Sequence, residues 1–580
     1  MTDTNNESTQ IVSAVRRPFV IAVGGHVVAW LRNYWRITAL YIAATLFTSA
    51  VSLSDTDRYV NLIHSAPLSD FGHLLWIVLG WLAASAVQPF TSLHTMNHTV
   101  FTLMTLNWFA GLLSVVLLYD ISRRIAKQSW VPEFVTIGLI FTHAFLNFAQ
   151  TGSSYVPGLS MTLLGVWLLM QEEEAAEHSR ASGIAAGLAF ATAVGFWVPY
   201  IFAMPALTLS TMILFGVSRW RLYQFVRMVL AFGVFCVVLY GTACALQGIY
   251  NLDAFRQWAI EPGLRSQVGG FNRMVFGFAR SFFNMGTDGV LFKRYLLHDP
   301  YNPVSFFELL RFSLGKVLLF YSALGIWVFA LLTSATGRRF AAVFIASAVP
   351  MMFFAYSWQG GDTERYFPLY PAIFLMLTYA VSEGRLIVSS RVFAAIWVFG
   401  MVYANGTALS NTKIRAVHDR SIARIKDLQP LWKRHSRIAT VLIHDDVFRF
   451  ASDYPFDPLS TTGMLAYDSE LRLPAAFEII DRGSVDTPKW RKTFAQLTLD
   501  VWSVEGDLWV SKRALQSRPP RAETHWVEGD DPRVTWRDVY EYFLQFEYGR
   551  AVGGNDGFVL LTRSAKNNRV LDPATNPGSR

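Results

Sequence analysis

Two carboxylates one residue apart, Asp55 and Asp57, run directly into Arg58 and Tyr59, and an acid and an imidazole, Asp70 and His73, follow shortly after. A carboxylate near a membrane surface can take a proton from a hydroxyl or amine acceptor, which makes Asp55 and Asp57 candidate general bases. Asp70 and His73 stand three apart, so they share one face if that turn is helical. Such a pair can orient a substrate or hold a divalent metal ion. A reaction that releases phosphate also needs cations. Arg273, Lys293 and Arg294 in a long later segment, and Arg365 followed by Tyr366 further on, can supply them. Taken singly, each assignment is weak. An Asp-x-Asp in a loop is more often a turn or cap, and an arginine at a membrane boundary is more often an interfacial anchor. Charges this close to lipid nevertheless cost a few kcal/mol unless they face water or a partner.

The elements that must position these residues are apolar. Of 580 residues, 52% are hydrophobic, 15% aromatic and only 16% charged, more apolar than a soluble chain. The apolar residues come in long blocks, which predicts a polytopic, mainly α membrane protein. The net charge of +8 fits basic cytoplasmic turns, and no basic, aromatic-interleaved module points to nucleic acid. No Walker or Rossmann glycine pattern points to nucleotide chemistry. Cys236 and Cys244 lie about 12 Å apart along a helix, too far for a disulfide. The first apolar block begins near Tyr34, behind Arg16, Arg17 and Arg32. No small-residue cleavage site follows a short apolar core, so the block reads as an uncleaved anchor.

Lys and Arg in the short turns orient the spans. Residues 1–33 are predicted to be cytoplasmic, with 18–31 on the membrane surface. Spans are predicted at 34–53, 98–120, 132–149, 155–171, 183–198, 200–217, 225–246, 314–334, 340–357, 367–383 and 392–410, about eleven in all. The run 183–217 is split at Pro199 because proline breaks helices. The second span ends in Ser122-Arg123-Arg124-Ile125-Ala126-Lys127, a cytoplasmic signature, so an even number of crossings precedes it. The apolar core of 72–88, about 15 residues, is short for a span, and counting it would put Arg123, Arg124 and Lys127 outside. It is therefore expected to be an interfacial or re-entrant helix within an outer loop, 54–96, that carries the acidic cluster. The cations fall in two further outer segments, 247–313 and 358–366.

After Ser410 the composition changes. A charged helix is expected at 411–427, buried strands at 438–443, 507–510 and 557–562, and a helix at 534–546. Residues 411–566 are read as a small extracytoplasmic α/β or α+β domain, and 567–580 as a disordered tail.

In this order and spacing, the motifs resemble those of the GT-C superfamily of integral-membrane glycosyltransferases. The resemblance is closer to the branch of protein O-mannosyltransferases and the lipid A aminoarabinose transferase. That branch carries an acidic Arg-Tyr motif after its first span, here Asp55-Thr56-Asp57-Arg58-Tyr59. It then carries an acid or His before a turn leading into an interfacial helix, here Asp70-Phe71-Gly72-His73-Leu74-Leu75-Trp76. Late in the chain it opens a span with Arg-Tyr-Phe-Leu-Pro, here Glu364-Arg365-Tyr366-Phe367-Pro368-Leu369-Tyr370-Pro371. The Gly/Ala-rich tract 183–207 is also similar. The resemblance covers residues 34–410. Two departures stand out: Asp-Thr-Asp replaces the Asp-Glu pair common in the family, which leaves the base open between Asp55 and Asp57, and Gly72-His73 replaces a Pro-Pro.

The resemblance implies a polyprenyl-phosphate-linked sugar as donor, entering from the lipid, and a lipid, glycan or protein acceptor entering from the aqueous side. Arg58, Tyr59, Asp70, His73, Arg365, Tyr366, Arg273, Lys293 and Arg294 would contact substrate, and Asp70 with His73 would hold a divalent metal if one is used. It also implies a bacterial inner membrane. Two rival readings are a transporter or flippase of lipid-linked saccharides and a non-catalytic subunit of envelope assembly. The predicted spans hold almost no charge and the halves show no repeat, which disfavours transport.

Overall fold

The computed structural model describes residues 23–50, 55–65, 68, 70–91, 95–170, 179–264, 270–285, 290–296, 304–383, 387–412 and 438–441, then 495–496, 498–499, 502–503, 505, 507–515, 540–554 and 557–572. The first helix, α1 (Val23–Phe47), runs through Tyr34 without a break. The surface helix expected before the first span is therefore, from Val23 onward, part of that span's helix. No proline interrupts this stretch. Just past its end, Thr48 bridges to Ser410, and the Ser49 amide donates to the Leu409 carbonyl.

Next come α2 (Thr56–Ser65), a 3₁₀ turn at Phe71–His73, α3 (Leu74–Val87) and α4 (Thr95–Ile125). With its flanking turns, α3 forms a continuous helical run of 20 residues, Phe71–Phe90. That is longer than the short apolar core expected and long enough to cross a bilayer by length alone. Its neighbours place it, however, on the part of α4 away from the basic end. A Cβ on Gly80 would sit 2.8 Å from Leu103, and Ala84 accepts from His98 Nε2 at 3.1 Å. Arg123 and Arg124 lie at the opposite end of α4.

The predicted span 132–149 is two helices, α5 (Val131–Ile140) and α6 (His143–Phe148). Then follow α7 (Tyr155–Leu169), α8 (Ser179–Phe196) and α9 (Met204–Phe215). The expected break at Pro199 is a 3₁₀ turn over Val198–Phe202. After α10 (Arg219–Gln247), the next segment carries α11 (Leu252–Leu264), α12 (Phe271–Phe282) and α13 (Val290–Leu296). A helical run then passes from α14 (Phe306–Leu309) through a π turn at Leu310–Leu314 into α15 (Gly315–Leu332). The membrane part ends with α16 (Ala335–Ser357), α17 (Tyr370–Glu383) and α18 (Ile387–Ala408).

Among the described residues six helical runs are long and apolar enough to cross a membrane, and shorter apolar helices accompany them at Val131–Ile140, Tyr155–Leu169, Ala181–Phe196 and Val198–Leu214. The chain is a multi-pass integral membrane protein. Helices are the expected solution, because a bilayer offers no partner for an unpaired backbone amide. At the centre stands α17, every residue of which from Tyr370 to Ser382 is buried. The outside of α10 is bare, with Leu230, Val234, Val237 and Val238 all exposed, as suits contact with lipid. Both cysteines of α10 are free.

The C-terminal part contains a four-stranded sheet in the order β1-β2-β4-β3. β1 (Ile438–Val441) runs parallel to β2 (Asp507–Ser511), and β4 (Phe558–Leu561) pairs antiparallel with both β2 and β3 (Tyr548–Val552). Three strands fall where alternation and apolar runs predict them. β3 does not: it carries Gly549 and Arg550 and an irregular register on the sheet edge. The helix expected at 411–427 lies almost wholly outside the described residues. Residues 567–571, expected in the tail, belong instead to a helix, α19 (Ala565–Leu571). Ser564 caps it, and the buried Asn567 side chain donates to the carbonyls of Glu547 and Thr562 at 2.8 Å each.

Candidate active site

Asp55 sits at the start of α2, where its carbonyl accepts from the Tyr59 amide. Its Oδ2 accepts a hydrogen bond from the Tyr155 hydroxyl at 2.6 Å. Tyr155 is the first residue of α7, and the turn before it is fastened to the same place. The Gly152 amide donates to Thr56 Oγ1 at 3.0 Å, and Trp76 Nε1 donates to the Gly152 carbonyl at 2.9 Å. Tyr59, fully buried, lies with its hydroxyl 3.4 Å from Ser154 Oγ. Asp57 follows on α2, with its side chain outside the described residues.

Asp70 is 3% exposed. It caps the turn into α3 by accepting from the Gly72 amide at 3.0 Å. Arg58 Nη2 reaches its Oδ2 at 2.8 Å, and His73 Nδ1 lies 3.3 Å from both of its oxygens. Burial alone would raise the Asp70 carboxyl, but His73, Arg58 and the Gly72 amide together hold it down at about 2. Because Nδ1 donates to a carboxylate, His73 presents Nε2 as its free nitrogen, and that atom is buried without a partner. The His73 ring lies 5.1 Å from Tyr59 and 6.2 Å from Tyr155.

The second half of the site is the loop between α16 and α17. A 3₁₀ turn, Thr363–Leu369, buries every one of its residues. Arg365 lies between two indoles, its guanidinium carbon 4.7 Å from the Trp358 ring and 5.8 Å from Trp197. Its Nη2 donates to Gln359 Oε1 and reaches Asp362 Oδ2 at 3.4 Å, while its Nε is buried with no partner. Burial opposes the Arg365 charge, and Asp362 and Glu364 outweigh it. The carboxyl of Glu364 is pushed up by burial first and by Asp362 second. That of Asp362 is raised by burial against the pull of Arg365 and Arg280.

α12 supports this loop. Gly277 leaves no room for a side chain, since a Cβ there would lie 1.8 Å from the Gly360 carbonyl oxygen. Arg280 Nη1 donates to the Gly361 carbonyl at 2.8 Å. The Tyr366 hydroxyl lies 2.7 Å from the carbonyls of both Met274 and Gly360.

The two halves meet over Tyr155. Trp197 packs edge-on to Tyr155 at 4.9 Å, and Phe367 stacks on its other side at 6.3 Å. Asp55 lies within electrostatic reach of Asp362, Glu364 and Arg365. Of the sequence candidates, Asp55, Arg58, Tyr59, Asp70, His73, Arg365 and Tyr366 thus belong to one region. Arg273 is half-buried on α12 and feels the charge of Asp362. Lys293 and Arg294 are on α13, with side chains outside the described residues.

The metal expectation for Asp70 and His73 does not fit. The described residues include no group of three or more His, Cys, Asp or Glu placed to hold a metal. The guanidinium of Arg58 already occupies the place of a cation on Asp70. The residues the sequence does not offer as site candidates are Tyr155, Trp197, Trp358 and Asp362, while Glu364 enters only within a motif and Arg280 only as one of several cations of 247–313. The only sequence signal for any of them is the dense charge of 362–365 between two apolar blocks.

No family model matches the chain, and no curated protein does. Among solved structures, the chain is similar to ArnT from Cupriavidus metallidurans bound to undecaprenyl phosphate, at 10% identity and a TM-score of 0.48 over 94% of this chain and 99% of that one. The apo state of the same protein gives 11% identity and a TM-score of 0.47 over 94% and 100%. The Archaeoglobus fulgidus oligosaccharyltransferase tethered with an acceptor peptide gives 10% and 0.41 over 93% and 75%. At such identities and TM-scores these likenesses assign no donor and no residue role.

Proposed function

We propose that the chain is a membrane glycosyltransferase. It moves a sugar from a polyprenyl-phosphate-linked donor to an acceptor on the extracytoplasmic face of a bacterial inner membrane. The N-terminus is cytoplasmic in this reading, and residues 411–566 lie outside. The observation that carries it is the meeting, around Tyr155, of an oriented carboxylate from the first outer loop and a buried, incompletely bonded arginine from the last. A transfer of this kind needs both: a base for the acceptor proton and a cation for the departing phosphate.

Tyr155 engages Oδ2 of Asp55 and fixes the direction of the carboxylate. Asp55 then takes the acceptor proton as the acceptor attacks the anomeric carbon, with inversion. Asp57 is the runner-up as base. Arg365, stacked between Trp197 and Trp358, presents its Nε edge to the phosphate. Arg58, Asp70 and His73 shape the acceptor side, and Arg273, Lys293 and Arg294 add positive charge on the donor side.

The test is transfer of label from radiolabelled polyprenyl-phosphate sugars to a crude envelope fraction by protein in liposomes. Transfer is expected, with loss of two orders of magnitude or more in Asp55→Asn. Full activity in both Asp55→Asn and Asp57→Asn would refute the assignment of the base. Movement of labelled lipid between leaflets with no transfer would replace this reading with a flippase.

A further inference from the structure

Asp362 carries a charge that the transfer step does not use. Its side chain keeps 35% of its surface exposed, against 8% for Arg365, so it is the more solvent-facing member of the pair. Their contact is 3.4 Å, longer than an ordinary N–H···O bond, while Gln359 holds the same nitrogen closely. On α12, Arg273 and Arg280 stand seven apart, with Gly277 against Gly360 between them. This spacing keeps all three on one helix face. Both of these arginines are within electrostatic reach of Asp362. Asp362 therefore touches one guanidinium, Arg365, and acts on two more, Arg273 and Arg280, while Glu364 acts on Arg365 and Arg280 as well.

We infer that Asp362 is a specificity-determining residue: it sets the charge of the arginine site so that the donor phosphodiester is held and the lipid phosphate product is released. The inference rests on the function proposed above. In the transfer, the bond from the anomeric carbon to the phosphate oxygen breaks, and a bond from that carbon to the acceptor oxygen or nitrogen forms. The acceptor proton leaves through Asp55. The phosphate keeps the bridging oxygen, so a diester with a single negative charge becomes a monoester with about −1.5 to −2 at pH 7. Unopposed, three arginines would bind that product more tightly than the donor and would stall after each turnover. A fixed charge acts on each ligand in proportion to the ligand's own charge. Asp362 therefore weakens the product roughly twice as much as the donor on a logarithmic scale.

The test is direct binding at pH 8 of two probes, a polyprenyl monophosphate and its methyl diester, to the full chain in nanodiscs. The wild type is expected to prefer the monoester about tenfold less than Asp362→Asn does. Asp362→Asn is expected to tighten the diester on the order of tenfold and the monoester on the order of a hundredfold, with turnover becoming limited by product release. Asp362→Glu is expected to keep the wild-type ratio. Equal shifts for both probes, no shift, or weaker binding of both in Asp362→Asn would overturn the inference, leaving Asp362 only to orient Arg365. So would a wild type that prefers the monoester by more than a hundredfold, whether or not any variant folds. Failure of the wild type to bind either probe would instead overturn the lipid-phosphate donor, and this inference with it.

Discussion

The two charged clusters of the site are built on opposite principles. Around Asp70 the carboxylate is closed: Arg58, His73 and the Gly72 amide occupy it, and the nitrogen left over is a neutral-capable ring atom, His73 Nε2, and not part of a fixed charge. Around Arg365 the charges are held open. The guanidinium is pinned by two indoles and one glutamine, yet its Nε is left bare. A buried donor without a partner costs about 1–3 kcal/mol, and such a cost is repaid when a ligand supplies the missing acceptor. The first cluster reads as a frame for the loop after α1, and the second as a seat for a ligand's acceptor.

Three substitutions would break or sharpen this contrast. The largest effect is expected at the open cluster. Arg365→Lys keeps the charge but loses the planar fork and the stacking, and should lower the transfer rate on the order of 10²-fold or more with little change in melting temperature. A melting temperature that fell with the rate would make Arg365 part of the frame. The second effect belongs to the closed cluster. Asp70→Asn should cost stability, about 1–3 kcal/mol once the half-exposed Arg58 is discounted, visible by thermal melting in detergent. The sign with pH follows from a folded value of about 2 against an unfolded 3.8. The stabilisation is present above about pH 4 and is lost as the pH falls toward 2. The acid transition of the variant should therefore be flatter than that of the wild type over this window, and equal slopes would mean that the Asp70 pair contributes nothing to folding.

The smallest effect is expected at Glu364. Its carboxyl is raised in the folded protein, so the stability it allows is full below the ordinary glutamate range and declines as the pH rises through the folded value. Glu364→Gln should melt like the wild type near pH 5 and above it near pH 9. Identical melting at both pH values would show that water reaches Glu364 and that the open cluster is wetter than its burial implies.

Much of this site was legible because charge is conspicuous in an apolar sequence. Asp55, Asp70 and Arg365 stand out for that reason, and the basic end of α4 and the break at Pro199 are visible from Arg123, Arg124 and one proline. The aromatic walls were not legible. Tyr155, Trp197 and Trp358 lie within or at the ends of apolar blocks, where any aromatic looks like core. The split between α5 and α6 has no proline or glycine to announce it. It is marked by tertiary bonds, with Asn405 Nδ2 donating to the Phe141 carbonyl at 2.6 Å and His143 Nδ1 donating to the Arg280 carbonyl at 3.2 Å. A period or a propensity carries no information about partners more than a hundred residues away. The edge strand β3 escaped for a related reason, since its pairing with β4 is what makes Tyr548–Val552 extended.

The closeness of α12 to the Gly360 turn also bears on the order in which the protein is assembled. Arg365 cannot be seated until α8 has delivered Trp197, α12 has docked and α16 has been inserted behind it, so the open cluster is completed late in synthesis. The closed cluster needs only residues 58–73. The segment after α1 can therefore neutralise these charges as it emerges and wait for the half of the site that the ribosome has yet to make.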